Sequence, residues 1–477
     1  MRTVVLIDLP TYPKGTLSLS LPYLAAYFKA RFKPVIIDLN ITDGEDLLSQ
    51  LERVKPVMAG LKVSSQNYHL ACDFSKLIRA RFPEVKIVWG GEFPTLLADR
   101  CFPYADSIVK GLFDSIAEVF IKDIEAGTLQ SEYVGTNEFL PERFVTPDWN
   151  IVSQIERYNQ FMGLPLETSR GCTEVCTFCM VHIMQKKHYH IKPYNILKKE
   201  INAIGGRFIN IVDYNFGVNK QHVLDTCKLI EESEAIGFMA EMCLEMLDDD
   251  EILSAMQKAR CKTVYCGLET IAEESLKAIH KMNTNRIDDY RRIISRARGF
   301  GIHIASGFIL AIDGTNRETF KETQRFFEST GIMYAKLTFL TYNPGTKVQK
   351  YYRKKGVFKS EDPKYYDGNH LSYLPEGVND TDVFAGTQWF IADFYSLSAI
   401  LRRSRVVSGA IQKAAFMCFN ICYARPYQQW IENDVFYNEA GFETLLADRY
   451  KKAFVPRLAE RLLLLIWKFQ ARKKNIL

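Results

Sequence analysis

The sequence predicts an α/β protein made of two successive parallel-sheet regions and a mostly helical C-terminal region. Three observations predict it. Residues 1–130 alternate short β-rich runs with helical stretches, residues 161–350 repeat a βα unit six times, and residues 351–477 are helical and aromatic-rich. Alternation of this kind builds parallel sheets covered by helices. At 477 residues the chain also exceeds what one hydrophobic core serves, so several domains are expected.

In the first region the strands read TVVLID, PVIID, VMAGLKVSS, VKIVWGG and DSIVKG, with helices such as LPYLAAYFKARF, HLACDFSKLIRARF and DSIAEVFIKDI between them. Ligands of such a sheet lie at the carboxyl ends of its strands. The residues there are small or turn-forming: Ser64 and Ser65, Gly90 and Gly91, and Gly111. Glycine at a strand end lets backbone approach a bulky ligand, and equally makes turns. Residues 131–160 are polar and irregular, with Pro141 and Pro147, and read as a linker. The second region offers the strands GLPLETS, FINIVD, FMAEMCLE, TVYCGLE, HIASGFIL and AKLTFL, which imply a partial barrel open on one side.

A net charge of +5 is small for this length and does not call for nucleic acid. The opening MRTVVLIDLP reads as a buried strand rather than an export signal, so a cytoplasmic protein is expected. Of eleven cysteines only three are tightly clustered. Cys72, Cys227, Cys243, Cys261 and Cys266 read as buried small hydrophobes.

The chemical signal is Ser169-Arg170-Gly171-Cys172-Thr-Glu-Val-Cys176-Thr-Phe178-Cys179, directly after a strand. Three thiolates in eight residues can hold three corners of an iron–sulfur cube and leave the fourth iron without a protein ligand. A structural zinc site would want a fourth ligand, for which His182 is the candidate. Phe178 suits a cover over the cluster.

The CxxxCxxC spacing with an aromatic before the last cysteine, at the end of the first barrel strand, resembles the radical S-adenosylmethionine (SAM) superfamily. The resemblance implies a [4Fe–4S] cluster on Cys172, Cys176 and Cys179, with SAM on the open iron. It implies further SAM contacts at later strand ends: Asp213 and Asn215, then Glu245, then Glu269, with Gly307 and Ile309 approaching adenine. An electron donor such as flavodoxin or ferredoxin is also implied.

A Rossmann-like domain ahead of such a core resembles the cobalamin-binding subclass, through LPYLAAYF, VSS (63–65), WGGEFPTL and ADSIVKG. The resemblance implies a cobalamin-binding domain in which Ser64, Ser65, Gly90, Gly91 and Gly111 approach the cofactor. Two departures stand out. The first strand is not followed by the subclass's Asp-x-His-x-x-Gly, since the first histidine is His69, and Lys110-Gly111-Leu112-Phe113 replaces its Gly-Glu-Gly-Glu. Cobalt would then carry no histidine.

Residues 365–403, with Tyr365, Tyr366 and His370, resemble the segment after the core in hopanoid-methylase-like and Mg-protoporphyrin ester cyclase-like members, and read as a lid. Residues 451–477 hold eight Lys or Arg against one acid around RLAERLLLLIWKF. That helix fits either an anionic membrane interface or the protein body. The expected activity is cobalamin-dependent radical SAM methylation of an unactivated carbon in an apolar or lipid-like small molecule. A radical ring-former and a non-catalytic cofactor-binding sensor are the alternatives.

Overall fold

A computed structural model of the chain describes residues 1–11, 17–41, 47–136, 144–152, 155–158, 163–185, 188–282, 285–357, 361–374 and 380–432, with residues 462, 465 and 466. The first sheet is built from β1 (Thr3–Asp8), β2 (Lys33–Asp38), β3 (Met58–Lys62), β4 (Lys86–Gly90), β5 (Ser107–Lys110) and β6 (Glu132–Val134). All pair in parallel, in the order β2-β1-β3-β4-β5-β6. The chain leaves β1 to one side for β2 and returns to the other for β3, which opens a crevice at the carboxyl ends of β1 and β3. Helices α1 (Ser20–Phe28), α2 (Leu47–Val54), α3 (Tyr68–Arg81), α4 (Glu92–Leu96) and α5 (Ala117–Ala126) form the connections. On α1 the buried residues are Leu21, Pro22, Ala25 and Phe28, a helical spacing that turns one stripe to the sheet.

One expectation needs correction here. The stretch read as linker begins with β6, which pairs with β5 through Ile108↔Glu132 and Val109↔Tyr133. Only Tyr133 of its three residues is buried, too little alternation to be legible without the neighbouring strand.

The second sheet comprises β7 (Leu164–Leu166), β10 (Phe208–Ile211), β11 (Gly237–Glu241), β12 (Cys261–Glu269), β13 (His303–Leu310) and β14 (Tyr334–Phe339). The six pair in parallel and in chain order, and β7 and β14 do not meet, so the barrel is partial and open. Between β7 and β10 stands an antiparallel hairpin, β8 (Ser169–Gly171) with β9 (Tyr189–Ile191), where a plain loop was expected. The barrel-side helices are α6 (Val181–Met184), α7 (Tyr194–Ile204), α8 (Lys220–Glu232), α9 (Asp250–Lys258), α10 (Glu273–Ala278), α11 (Ile287–Gly299), α12 (Arg317–Thr330) and α13 (Lys347–Lys355).

Helices α14 (Asp380–Phe394), α15 (Leu397–Ser404) and α16 (Ala410–Glu432) follow. Phe390 and Phe394 of α14 pack on Phe327 of α12 and join the barrel core. Among the described residues no helix is long and apolar enough to cross a membrane. The basic tail, including Arg472, Lys473 and Lys474, lies outside the described residues, as do Pro141 and Pro375. Of its apolar run, Ile466 packs against the cluster containing Phe416 and Phe419, while Leu462 and Leu465 are exposed.

Candidate functional site

The hairpin β8–β9 carries the cysteine loop. Cys179 N–H donates to the Cys176 carbonyl at 3.2 Å, and the Thr177 hydroxyl donates to the Ile279 carbonyl at 2.9 Å. Phe178 packs against the apolar cluster containing Ile279, Tyr342 and Val348. That ring therefore ties the loop to the later barrel segments. Cys172, Cys176 and Cys179 are all free and half-buried. Burial raises each thiol above its ordinary range, Cys176 to about 11, with the Lys281 ammonium opposing it in all three. Thiolate ligation releases such protons. Among the described residues no three His, Cys, Asp or Glu side chains converge as one metal ion requires. A four-iron cube spaces its thiolates more widely than one ion does.

Asp213 is 1% exposed and both its oxygens accept hydrogen bonds. Oδ1 accepts the Thr168 N–H at 2.6 Å, and Oδ2 accepts the Thr168 and Ser169 hydroxyls at 2.5 and 2.6 Å. Burial raises its carboxyl to about 7 against these bonds. These bonds brace the strand that leads into the cysteines. Asn215 does reach the loop: its amide lowers the Cys172 thiol by hydrogen bonding and also donates to Cys243 Sγ at 3.3 Å. Cys243, expected to be plainly buried, is only half-buried and stands at this rim.

Glu245 Oε2 is buried with no hydrogen-bond partner, and burial raises the carboxyl. An unpaired buried oxygen at a strand end is the feature a ligand's ammonium would satisfy. Glu269 has φ +63° and turns back over Gly267 to accept Lys281 Nζ at 2.6 Å. A Cβ on Gly267 would lie 2.4 Å from Glu269 Oε1, so that position excludes side chains. Lys281 also donates to the Gly267 carbonyl at 2.8 Å. Sequence reasoning missed Lys281, because nothing in SLKAIHK marks one lysine of a helix end as buried. A Cβ on Gly307 would lie 2.4 Å from the Tyr265 hydroxyl, so its missing side chain makes room for that phenol. Ile309 packs on the same apolar cluster as Phe178.

The two domains enclose a cavity of about 430 Å³. Leu6, Met58, Gly60, Val88, Gly90, Val109 and Gly111 form its floor on the first sheet, α1 contributes Leu21, Leu24 and Phe28, and Arg170, Val212 and Tyr214 face them from the barrel. Gly90, Gly91 and Gly111 thus come together as expected, while Ser64 and Ser65 do not line the cavity. Gly91 and Gly111 have φ of +112° and +70°, and a Cβ on either would lie within 2.7 Å of a carbonyl oxygen, so both are needed for the turns themselves. Ser65 is committed to Glu92, which accepts its N–H at 3.2 Å. Ser64 Oγ is buried and unpartnered. Gly60 was missed, although a glycine inside MAGLK marks a strand with room above it. Among the described residues no histidine lines the cavity. His69 is exposed and bonds Asp362 at 3.0 Å.

Fold and site together define an α/β protein in which a cysteine-bearing partial barrel faces a glycine-floored crevice. Residues 166–327 match the family model of the radical SAM superfamily, and residues 11–121 match that of the B12 binding domain. The chain thus carries a radical SAM domain and a B12 binding domain, which imply a [4Fe–4S] cluster, SAM and cobalamin as its cofactors. It is 26% identical over 325 residues to the bacteriochlorophyllide d C-8(2)-methyltransferase of Chlorobaculum tepidum, covering 65% of this chain and 70% of that one. It is 27% identical over 251 residues to the hopanoid C-2 methylase of Rhodopseudomonas palustris, covering 50% and 46%. Its fold is that of the cobalamin-dependent radical enzyme OxsB with aqua-cobalamin and SAM bound, at a TM-score of 0.67 and 17% identity over 100% of this chain and 79% of that one.

Proposed function

We propose that this enzyme methylates an unactivated carbon of an apolar, lipid-like or polycyclic small molecule, with Cys172, Cys176 and Cys179 holding the cluster and the interdomain cavity holding cobalamin. The observation that carries it is that one cavity is floored by Gly60, Gly90 and Gly111 and walled by Ser169 and Arg170, the latter lying two residues before Cys172. A cluster held by Cys172, Cys176 and Cys179 would supply the electron for reductive cleavage of SAM, and cobalamin in the cavity would supply methyl transfer.

The chain's own residues bind and orient. Lys281 presents a buried cation beside the three thiols, suited to the SAM carboxylate, and the unpartnered Glu245 Oε2 suits its ammonium. Tyr214 lines the crevice from the barrel side and is about half exposed. Val212 and the aliphatic floor give the cavity an apolar lining. The apolar substrate is supported by relatives named for bacteriochlorophyllide and hopanoid methylation, and by the basic, apolar tail, which would suit contact with an anionic membrane surface.

The test is anaerobic incubation of the cluster-loaded, cobalamin-loaded protein with SAM and a reductant such as flavodoxin. S-adenosylhomocysteine alongside 5′-deoxyadenosine supports methylation. Deoxyadenosine alone would point to ring formation or oxidation, and neither product would point to a sensor.

A further inference from the structure

The hairpin that carries the cysteines is held from both of its strands by the N-terminal domain. Arg170 on β8 is ion-paired with Asp114, in the turn after β5, and its guanidinium also meets Glu167 at 2.7 Å. Tyr27 of α1 donates to the same Asp114 at 3.3 Å. Lys192, one residue beyond β9, is bonded to the Tyr23 hydroxyl of α1 and to Glu200 at 2.8 Å. Tyr23 closes that triangle by donating to Glu200 Oε1 at 2.7 Å. The Lys192 and Glu200 side chains are 1% and 2% exposed. A buried ion pair adds little net stability over apolar residues of the same volume, so fixed geometry is the gain to look for.

We propose that Asp114 and Tyr23 are positioning residues that register the cysteine hairpin against the cavity, aligning the methyl donor of SAM with cobalt. This rests on the methyl-transfer reading above. Methyl transfer between two cofactors in different domains demands alignment across the interface, whereas SAM cleavage to deoxyadenosine uses groups within the barrel. A 1 Å misplacement costs on the order of 100-fold in such a step. Loss of the latch therefore falls on methyl transfer more heavily than on radical formation.

The experiment uses the reconstituted full chain carrying Asp114→Asn, Tyr23→Phe or both. S-adenosylhomocysteine and deoxyadenosine are measured per bound cobalamin and per cluster, and pulsed electron paramagnetic resonance reads the distance distribution between cob(II)alamin and the reduced cluster. The expected result is a ratio of S-adenosylhomocysteine to deoxyadenosine lowered about tenfold by either change, a broader distance distribution, and recovery of both in Asp114→Glu. Should Asp114→Asn not fold, Tyr23→Phe carries the test, since it keeps the ring and the Lys192–Glu200 pair. A ratio and distribution matching wild type, including the case in which both products fall together, overturn the proposal. A wild-type protein that makes deoxyadenosine and no S-adenosylhomocysteine overturns the underlying methylation reading, and is recognised before any variant is made.

Discussion

Lys281 Nζ lies 2.6 Å from Glu269 Oε1, and both side chains are about nine-tenths buried at the ends of barrel segments beside Cys172, Cys176 and Cys179. Burial works against the lysine's charge, and Glu269 with the neighbouring Cys176 outweighs it, so the ammonium is kept. The retained ammonium stands within electrostatic reach of all three thiols. Lys281→Met should weaken SAM binding tenfold to a hundredfold, which corresponds to about 1.5–3 kcal/mol for a charge-assisted hydrogen bond. Calorimetric titration of the cluster-loaded protein measures this, and an unchanged affinity would remove Lys281 from the site.

Replacing Cys172, Cys176 or Cys179 by Ala should abolish iron retention and SAM cleavage, since two thiolates do not hold the cube. Cys418→Ala and Cys422→Ala should keep both, because those thiols are buried among Phe416 and Phe419 in a separate apolar cluster. Iron and sulfide analysis of each variant decides it. A Cys422→Ala protein without iron would disprove the single three-cysteine site.

The six-repeat barrel, the parallel sheet before it and the cysteine loop were all legible, because hydrophobic alternation and ligand spacing are local. What was not legible depends on contacts distant in sequence. Asp213 sits at a strand end, where a ligand contact is expected, yet residues 45 positions away consume its carboxylate. Gly307 has the composition of a ligand-approach glycine, and a phenol from the adjacent strand fills its space. Ser65 and Ser64 look alike in sequence, and only the reach of Glu92 distinguishes the committed one from the unpartnered one. Lys281 and the Asp114–Arg170 pair carry no motif at all.

Cobalamin bound to this chain should carry no histidine on cobalt. Cob(II)alamin in the protein is expected to show no nitrogen superhyperfine splitting from a lower ligand, and His69→Ala should leave its spectrum unchanged, because His69 is exposed and engaged by Asp362. Splitting that disappeared in His69→Ala would contradict the cavity assignment.

Parallel register sets Asp8 beside both Asp38 and Lys62 at the crevice end of the first sheet. Burial raises Asp8 from 3.8 to about 6, with Lys62 opposing and Asp38 reinforcing. A carboxyl raised on folding stabilises through its protonated form. Its contribution is therefore full below pH ~4 and is lost as pH rises through about 6. The stability of wild type relative to Asp8→Asn should thus fall as pH rises from about 4 to about 6, by roughly 1.4 kcal/mol per pH unit at the steepest, and then level off. A difference independent of pH would place the Asp8 titration outside this range.

The central claim is that cobalamin occupies the interdomain cavity and faces a cluster on the three cysteines. Crystals of the fully loaded protein, measured by anomalous diffraction at the cobalt and iron absorption edges, test it directly. The account predicts a cobalt peak in the cavity lined by Gly60, Gly90 and Gly111, and an iron peak bonded to Cys172, Cys176 and Cys179. Cobalt located elsewhere, or an iron peak lacking any one of those three sulfurs, would contradict it.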